Sequence, residues 1–255
     1  MKLSIITICY NSEKTIKTTL ASVANQTFKR VDHIIIDGGS TDKTIFIVKQ
    51  YPHVTKIISE PDKGIYDALN KGIKIASGDV IGILHADDIF NDNRALEEVM
   101  KLFKKKKNVD AITGNVVFFD PEKNKINNRI IRSEIFRPWM LRFGFMPAHT
   151  ATFFKRSVFK QFGLYDVSFK TAGDFDFFLR LILVNKVKLF YFNKILVRMR
   201  TGGASTSGIQ SYIKTTIEIL YALKKNGFYS NYLFVLLRLP FKQINKWIFK
   251  LRNKK

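Results

Sequence analysis

The sequence predicts an α/β fold: a Rossmann-like, mostly parallel central sheet with flanking helices, followed by basic amphipathic helices at the C-terminus. Three observations carry this prediction. Over residues 3–84 the chain alternates short apolar, β-rich runs with segments of helical periodicity. The run Ile34-Ile35-Ile36 is continuous rather than alternating, as a strand covered on both faces requires. The chain has 255 residues, 46% of them apolar and 25% charged, enough to bury a core and leave a cleft in it.

Each element has its own local reason. Residues 3–8 form a buried strand. Asn11-Ser12 offers an N-cap, and Ile16, Leu20, Val23 and Ala24 then recur at helical spacing. Residues 31–36 form a second strand that ends in Asp37-Gly38-Gly39-Ser40-Thr41-Asp42. A helix over 43–50, a strand over 56–59, a helix over 64–76 and a strand over 80–84 follow. Such β-α repeats imply parallel strands with right-handed crossovers. Ligands in these sheets bind at the carboxyl ends of the strands, which selects residues 8–11, 37–41, 60–66 and 85–88. Beyond residue 95 the rhythm changes. A helix over 96–103 and a strand over 111–119 precede a polar loop at 121–135. A strand over 150–154, an apolar helix over 173–184 and strands over 187–192 and 195–199 lead to a Gly/Ser/Thr loop at 201–208. Residues 209–255 read as helices.

Composition narrows the function. One cysteine, Cys9, rules out an intrachain disulfide and a Cys-based zinc site, and is compatible with a reducing compartment. The N-terminal apolar run is too short for a signal peptide, and no stretch reaches the ~20 apolar residues of a membrane span. The four histidines show no metal-ligand spacing, and P-loop, G-x-G-x-x-G and G-x-S-x-G patterns are absent. The formal net charge is +22, and it is lopsided. Residues 1–120 hold 17 Lys and Arg against 15 Asp and Glu, whereas residues 121–255 hold 26 against 6. That balance calls for an anionic partner: nucleic acid, anionic lipid or a phosphorylated substrate. Nucleic acid is disfavoured, because no recognition motif is present and the phenylalanines sit in apolar runs that read as core.

Several motifs carry chemistry beside a plainer reading. Asp87 and Asp88 follow an apolar strand, where they form either a solvated turn or a site for a hard divalent cation. Asp37 either makes an Asx turn or accepts hydrogen bonds from a nucleotide. In the polar stretch 60–72, Asp62 is a cap candidate, Lys63 a phosphate or base contact, and Tyr66 and Asn70 share a helix face. Asp174 opens an apolar helix, either as its N-cap or as an ionised general base, with Asp176 on another face. His149 reads as a structural histidine or as a substrate contact.

Taken in order, Ser4–Asn11, Gln26-Thr27-Phe28, Ile36–Asp42, Glu60–Ala68 and Ala86-Asp87-Asp88 resemble the family 2 glycosyltransferases. The strong resemblance covers residues 1–90. Weaker likeness extends to about 207 and includes Asp174 and Gly202-Gly203-Ala204-Ser205. It implies an inverting enzyme of the GT-A fold, of the kind that builds bacterial O-antigen, capsule and exopolysaccharide. The implied glycosyltransferase domain is 1–207, with a nucleotide-sugar-binding half at 1–90 and an acceptor and catalytic half at 91–207. The implied donor is a nucleotide-sugar, a UDP-sugar first, bordered by the Ile8 backbone and Tyr10 at the base, with Asp37, Lys63, Tyr66 and Asp87 as further donor contacts. Asp88 is the implied ligand of a divalent metal, Mn²⁺ or Mg²⁺. Asp174 matches the second residue of the family's Glu-Asp pair and is the implied base; Gly173 stands in place of the Glu, which keeps Asp176 in reserve. His149 and Arg200 are candidate contacts to acceptor or diphosphate, with Arg198 as a further cation. The four carboxylates Asp37, Asp87, Asp88 and Asp174 favour an active enzyme over a relative that only binds.

The remaining segment, 208–255, reads as a basic helical extension. From residue 219 onward there are nine Lys and Arg and no acid. Arg238, Lys242, Lys246 and Lys250 lie four apart on one face, with Ile244, Trp247, Ile248 and Leu251 away from it. This is the pattern of a helix in an anionic membrane interface, the alternative being a terminal helix packed on the core. The combined expectation is a cytoplasmic protein, peripherally attached to the inner face of the cell membrane, with a polyprenyl-diphosphate-linked glycan as acceptor.

Overall fold

In the computed structural model, residues 1–120, 125–201 and 208–238 are described. Burial explains the first strands. All seven residues of β1 (Leu3–Cys9) are buried, as are six of seven in β2 (Val31–Asp37) and all four in β4 (Val80–Ile83). Side chains alternate between two helical layers. Ile6, Ile8, Ile34 and Ile36 face α3 (Ile65–Ile75) and α6 (Gly173–Leu179) in the main core. Cys9 and Ile35 face α1 (Ile16–Ala24) and α2 (Thr44–Val48), while Leu3 and Ile5 face α4 (Ala95–Lys105). Helix α3 rides so close to the sheet that a Cβ on Gly72 would stand 2.5 Å from Ile6 Cγ2.

Among the described residues the sheet has nine strands. The order is β3 (Val54–Ser59), β2, β1, β4, β8 (Thr152–Lys155), β6 (Ala111–Asp120), β9 (Leu189–Arg200), β5 (Ile89–Phe90), and β7 (Lys125–Ile131) pairs with β6. The first four positions are parallel throughout. Strand β8 runs antiparallel to both β4 and β6, and β9 runs parallel to β6. Strands β6 and β9 therefore end at the same sheet edge as β1, β2 and β4. The C-terminus of β9 thus arrives beside the turn that follows β4, although more than a hundred residues separate them in sequence.

Local differences from the sequence reading have physical causes. The polar stretch expected as a loop contains β7, because an antiparallel partner needs only one apolar face. The two strands expected between 187 and 199 are one, β9, with register shifts where it crosses Thr113–Val116. The strand expected over 150–154 begins only at Thr152, and His149, expected at its start, opens a short 3₁₀ turn (His149–Ala151) before it. The apolar helix over 173–184 is α6 followed by a π-turn, Arg180–Val184. Helix α1 begins at Ile16, one turn after the expected cap. After α5 (Arg156–Phe162) and α6, helices α7 (Gly208–Lys225) and α8 (Tyr232–Leu236) complete the described chain, and Ile219, Ala222, Leu223 and Val235 join the main core.

Arg238 corrects the expectation of a basic stripe starting there. It is only 4% exposed. Its Nε donates to the Tyr212 hydroxyl at 2.9 Å and its Nη2 to Thr216 Oγ1 at 2.7 Å. The guanidinium also lies over the Tyr212 ring. It binds α8 to α7 instead of facing solvent. The rest of the proposed stripe, like the 202–205 motif, lies outside the described residues.

Candidate active site

The site forms where β1, β2, β4 and β9 end together. Two loops are zipped there. Asn11, in the left-handed region at φ 45°, accepts from Thr41 N (2.9 Å) and donates its own N–H to Ser40 Oγ (2.8 Å). Glu13 N donates to Asp42 Oδ2 at 3.0 Å and Lys43 N to Glu13 Oε2 at 3.0 Å. Asn11 is thus a bridge between loops rather than a helix cap. The zipped loops hold Tyr10 outward, 62% exposed, as an aromatic face at the strand ends. Ile8 stays in the core.

Asp37 is fully buried. Its carboxylate accepts from Gly39 N, Ser40 N, Ser40 Oγ, Ser59 Oγ and Cys9 Sγ. The Asx-turn reading describes this directly, and a nucleotide contact at Asp37 requires exchange of one of these donors. The Asp37 carboxylate and burial together push the Cys9 thiol up, burial being the larger cause, so it stays protonated. Asp62 lies against the same turn: a Cβ on Gly38 would meet its Oδ2 at 2.6 Å and Tyr10 Cδ2 at 3.5 Å. Lys63 is exposed beside it.

Asp87 is half-buried and Asp88 is buried. Asp88 Oδ1 accepts the backbone N–H of Arg200 at 3.3 Å, and its main-chain oxygen accepts from Thr19 Oγ1 at 2.8 Å. Among the described residues, buried Asp88 Oδ2 has no hydrogen-bond partner. Burial, then the Asp87 charge, raises the Asp88 pKa well above the carboxylate range. An orphaned, charge-stressed oxygen of this kind fits a divalent cation. Among the described residues no cluster of three or more His, Cys, Asp and Glu encloses an ion. The fit is therefore the open one in which carboxylate and phosphate oxygens share the metal.

Arg200 reaches Asp88 through its main chain, carried there by β9. Arg198 Nε is committed to Asn91 Oδ1 at 2.9 Å. His149 is buried, with Nε2 2.7 Å from the Tyr165 hydroxyl and its ring edge-on to His85. Burial, assisted by His85, lowers its pKa to about 3, so it is neutral at physiological pH. It is a structural histidine beside the Asp87-Asp88 turn.

Asp174 sits in the first turn of α6, partly buried. Its Oδ1 accepts from Phe175 N at 2.9 Å and from the Tyr66 hydroxyl at 3.2 Å. Burial raises its pKa to about 6 against the pull of these bonds. Gly173 makes the arrangement possible, since a Cβ there would stand 2.7–2.8 Å from the Tyr66 ring. The tyrosine occupies the space that a larger residue at 173 would need. Asp176 is fully buried, held by Arg180 Nε at 2.9 Å and Asn226 Nδ2 at 3.0 Å, and is a structural anchor.

Glu218 of α7 escaped the sequence reading. Its carboxylate accepts from Lys170 N (3.1 Å), Thr171 N (2.8 Å), Thr171 Oγ1 (3.1 Å) and Ala172 N (2.9 Å), immediately before α6. It ties α7 to the segment that leads into the helix carrying Asp174. A second tie is Asn70, whose side chain exchanges two hydrogen bonds with the Tyr165 main chain and fixes α3 to the loop before α6.

Residues 4–163 match the family described as Glycosyl transferase family 2, and the chain belongs to that family. An uncharacterized glycosyltransferase of Mycobacterium tuberculosis is 33% identical over 187 residues, 71% of this chain and 69% of the relative. A PGL/p-HBAD biosynthesis glycosyltransferase of Mycobacterium bovis is 30% identical over 188 residues, 69% of this chain and 68% of the relative. The solved structure of S. aureus TarS 1–349 in complex with UDP-GlcNAc superposes with a TM-score of 0.69 at 19% identity, covering 90% of this chain and 68% of that one. Mannosyltransferase PcManGT from Pyrobaculum calidifontis, in complex with GDP-Man and Mn²⁺, gives 0.66 at 16% identity, covering 97% and 73%. The fold is that of the GT-A glycosyltransferases, as the sequence resemblance implied.

Proposed function

We propose that this glycosyltransferase moves a sugar from a nucleotide-sugar donor to a hydroxyl of a growing glycan with inversion at the anomeric carbon. The observation that carries the reading is Asp174: a carboxylate with pKa about 6, oriented through Oδ1 by Tyr66 and Phe175 N. Its Oδ2 takes the acceptor hydroxyl proton. The acceptor oxygen attacks the anomeric carbon from the face opposite the nucleotide, and the nucleoside diphosphate leaves with the electrons of the broken C–O bond. In this reading residues 1–90 form the donor half. Tyr10 stacks on the nucleobase, Lys63 and Arg200 face the diphosphate, and Asp87 contacts the ribose. Asp88 holds a divalent metal through its unpartnered oxygen; such an ion, when bound, neutralises leaving-group charge. The PcManGT complex with GDP-Man and Mn²⁺ supports that assignment by fold analogy. A UDP-sugar is the first donor to try, given the TarS complex.

The acceptor is proposed to be a polyprenyl-diphosphate-linked glycan at the inner face of the cell membrane. The support is the charge of +22, most of it in the second half of the chain. No helix among the described residues is long and apolar enough to cross a membrane, so attachment would be peripheral.

The decisive experiment pairs a screen of nucleotide-sugars with Asp174→Asn. The near-isosteric variant should bind donor as the wild type does and turn over about 10²-fold or more slowly. Wild-type turnover in the Asn variant would remove Asp174 as the base. Retention of anomeric configuration in the product would remove the inverting mechanism.

A further inference from the structure

We propose that the enzyme docks on an anionic membrane through an apolar stripe of α8 and the segment that leads into it, together with Trp139. The proposal rests on the membrane-attached reading above and assigns it a surface. Tyr232, Leu233, Leu236 and Leu237 share one face of the helix, and all are exposed, Leu233 by 68%; Tyr229, in the extended segment that leads into α8, is exposed as well. The opposite side of the same segment buries Val235 and Arg238. This inverts an ordinary surface helix, which shows charge to water and leucine to the core.

Trp139 is 60% exposed. Its ring meets Phe143 edge-on at 5.7 Å, and Phe143 stacks on Phe234 of α8 at 5.2 Å. The aromatic chain places Trp139 and α8 on one surface. Arg137 and Arg142, both exposed, flank the tryptophan. Solvent-facing Trp, Tyr and Leu ringed by cations are the chemistry of a bilayer interface with anionic headgroups. Charge argues against a second copy as the occupant. The charges that flank the tryptophan, Arg137 and Arg142, are both positive, so two such faces would repel.

The test uses the full chain with Trp247→Phe, which leaves Trp139 as the sole tryptophan. Adding phosphatidylglycerol-containing vesicles should shift its emission to the blue, and brominated acyl chains should quench it. Pure phosphatidylcholine should do neither. In the otherwise native chain, Leu233→Ser with Leu237→Ser should lower vesicle partitioning at least about tenfold, with thermal melting unchanged. Vesicle binding with Trp139 emission unmoved and the double variant binding normally overturns this surface and leaves membrane attachment standing. No binding by the wild type overturns both. A dimer in light scattering that the double variant abolishes assigns the stripe to a second copy and overturns the proposal.

Discussion

Two side chains set the working state of the proposed base. Burial pushes Asp174 up to about 6, and the Tyr66 hydroxyl pulls the other way by bonding its ionised form. Tyr66→Phe removes that pull while keeping the ring against Gly173. The acid limb of the pH–kcat profile should then move to higher pH, with a modest loss of stability of ~1 kcal/mol. An unmoved limb would show that the limb belongs to another group. Asp88 yields a separate prediction. Its buried Oδ2 has no partner among the described residues, so a cation that binds there should stabilise the fold. Mn²⁺ should raise the melting temperature of the wild type and leave Asp88→Asn unchanged, and excess EDTA should abolish transfer. Equal stabilisation of both proteins would move the metal elsewhere. These residues were legible in the sequence because each ends a strand or opens a helix within a recognisable motif. Their partners were not. Nothing near Asp174 in sequence signals that Tyr66, 108 residues away, fills the space beside Gly173.

At the scale of elements, α6 depends on α7. Glu218 gathers the main-chain N–H groups of residues 170–172, the two residues before α6's N-cap and the N-cap itself. Its charge also raises the Asp174 pKa, though less than burial does. The two effects separate by substitution. Glu218→Ala should lower stability by ~2 kcal/mol and depress turnover by loosening the start of α6. Glu218→Gln retains an acceptor but loses the charge, so its acid limb should shift to lower pH, opposite to Tyr66→Phe. Thermal melts and pH profiles of the pair check both. The parallel half of the sheet was readable because β1, β2 and β4 are buried runs rich in Ile and Val, and helices of apolar periodicity separate them. Strand β7 was hidden by its polar composition, and β5 by having two residues. Arg238 looked like a surface cation because helical spacing places a residue on a face without saying which face is covered.

For the whole molecule, the order of strands matters more than their number. Strands β3, β2, β1 and β4 lie side by side and are all made from the first 83 residues, yet the open edge of β4 is closed by β8, which begins at Thr152. During synthesis the gap of about 70 residues takes on the order of 4–14 s at 5–20 residues per second. For that interval Val80–Ile83, wholly apolar and without a charge, stands as an unpaired strand edge. A nascent chain halted with about 130 residues outside the ribosome should therefore bind a chaperone that recognises extended apolar segments. One halted with all nine strands outside should release it. Equal chaperone binding at both lengths would mean that the chaperone reads a segment other than the β4 edge. The late return of the chain to its own centre, which brings Arg200 to Asp88 in the finished enzyme, would then be most hazardous to the cell in the seconds before the protein is complete.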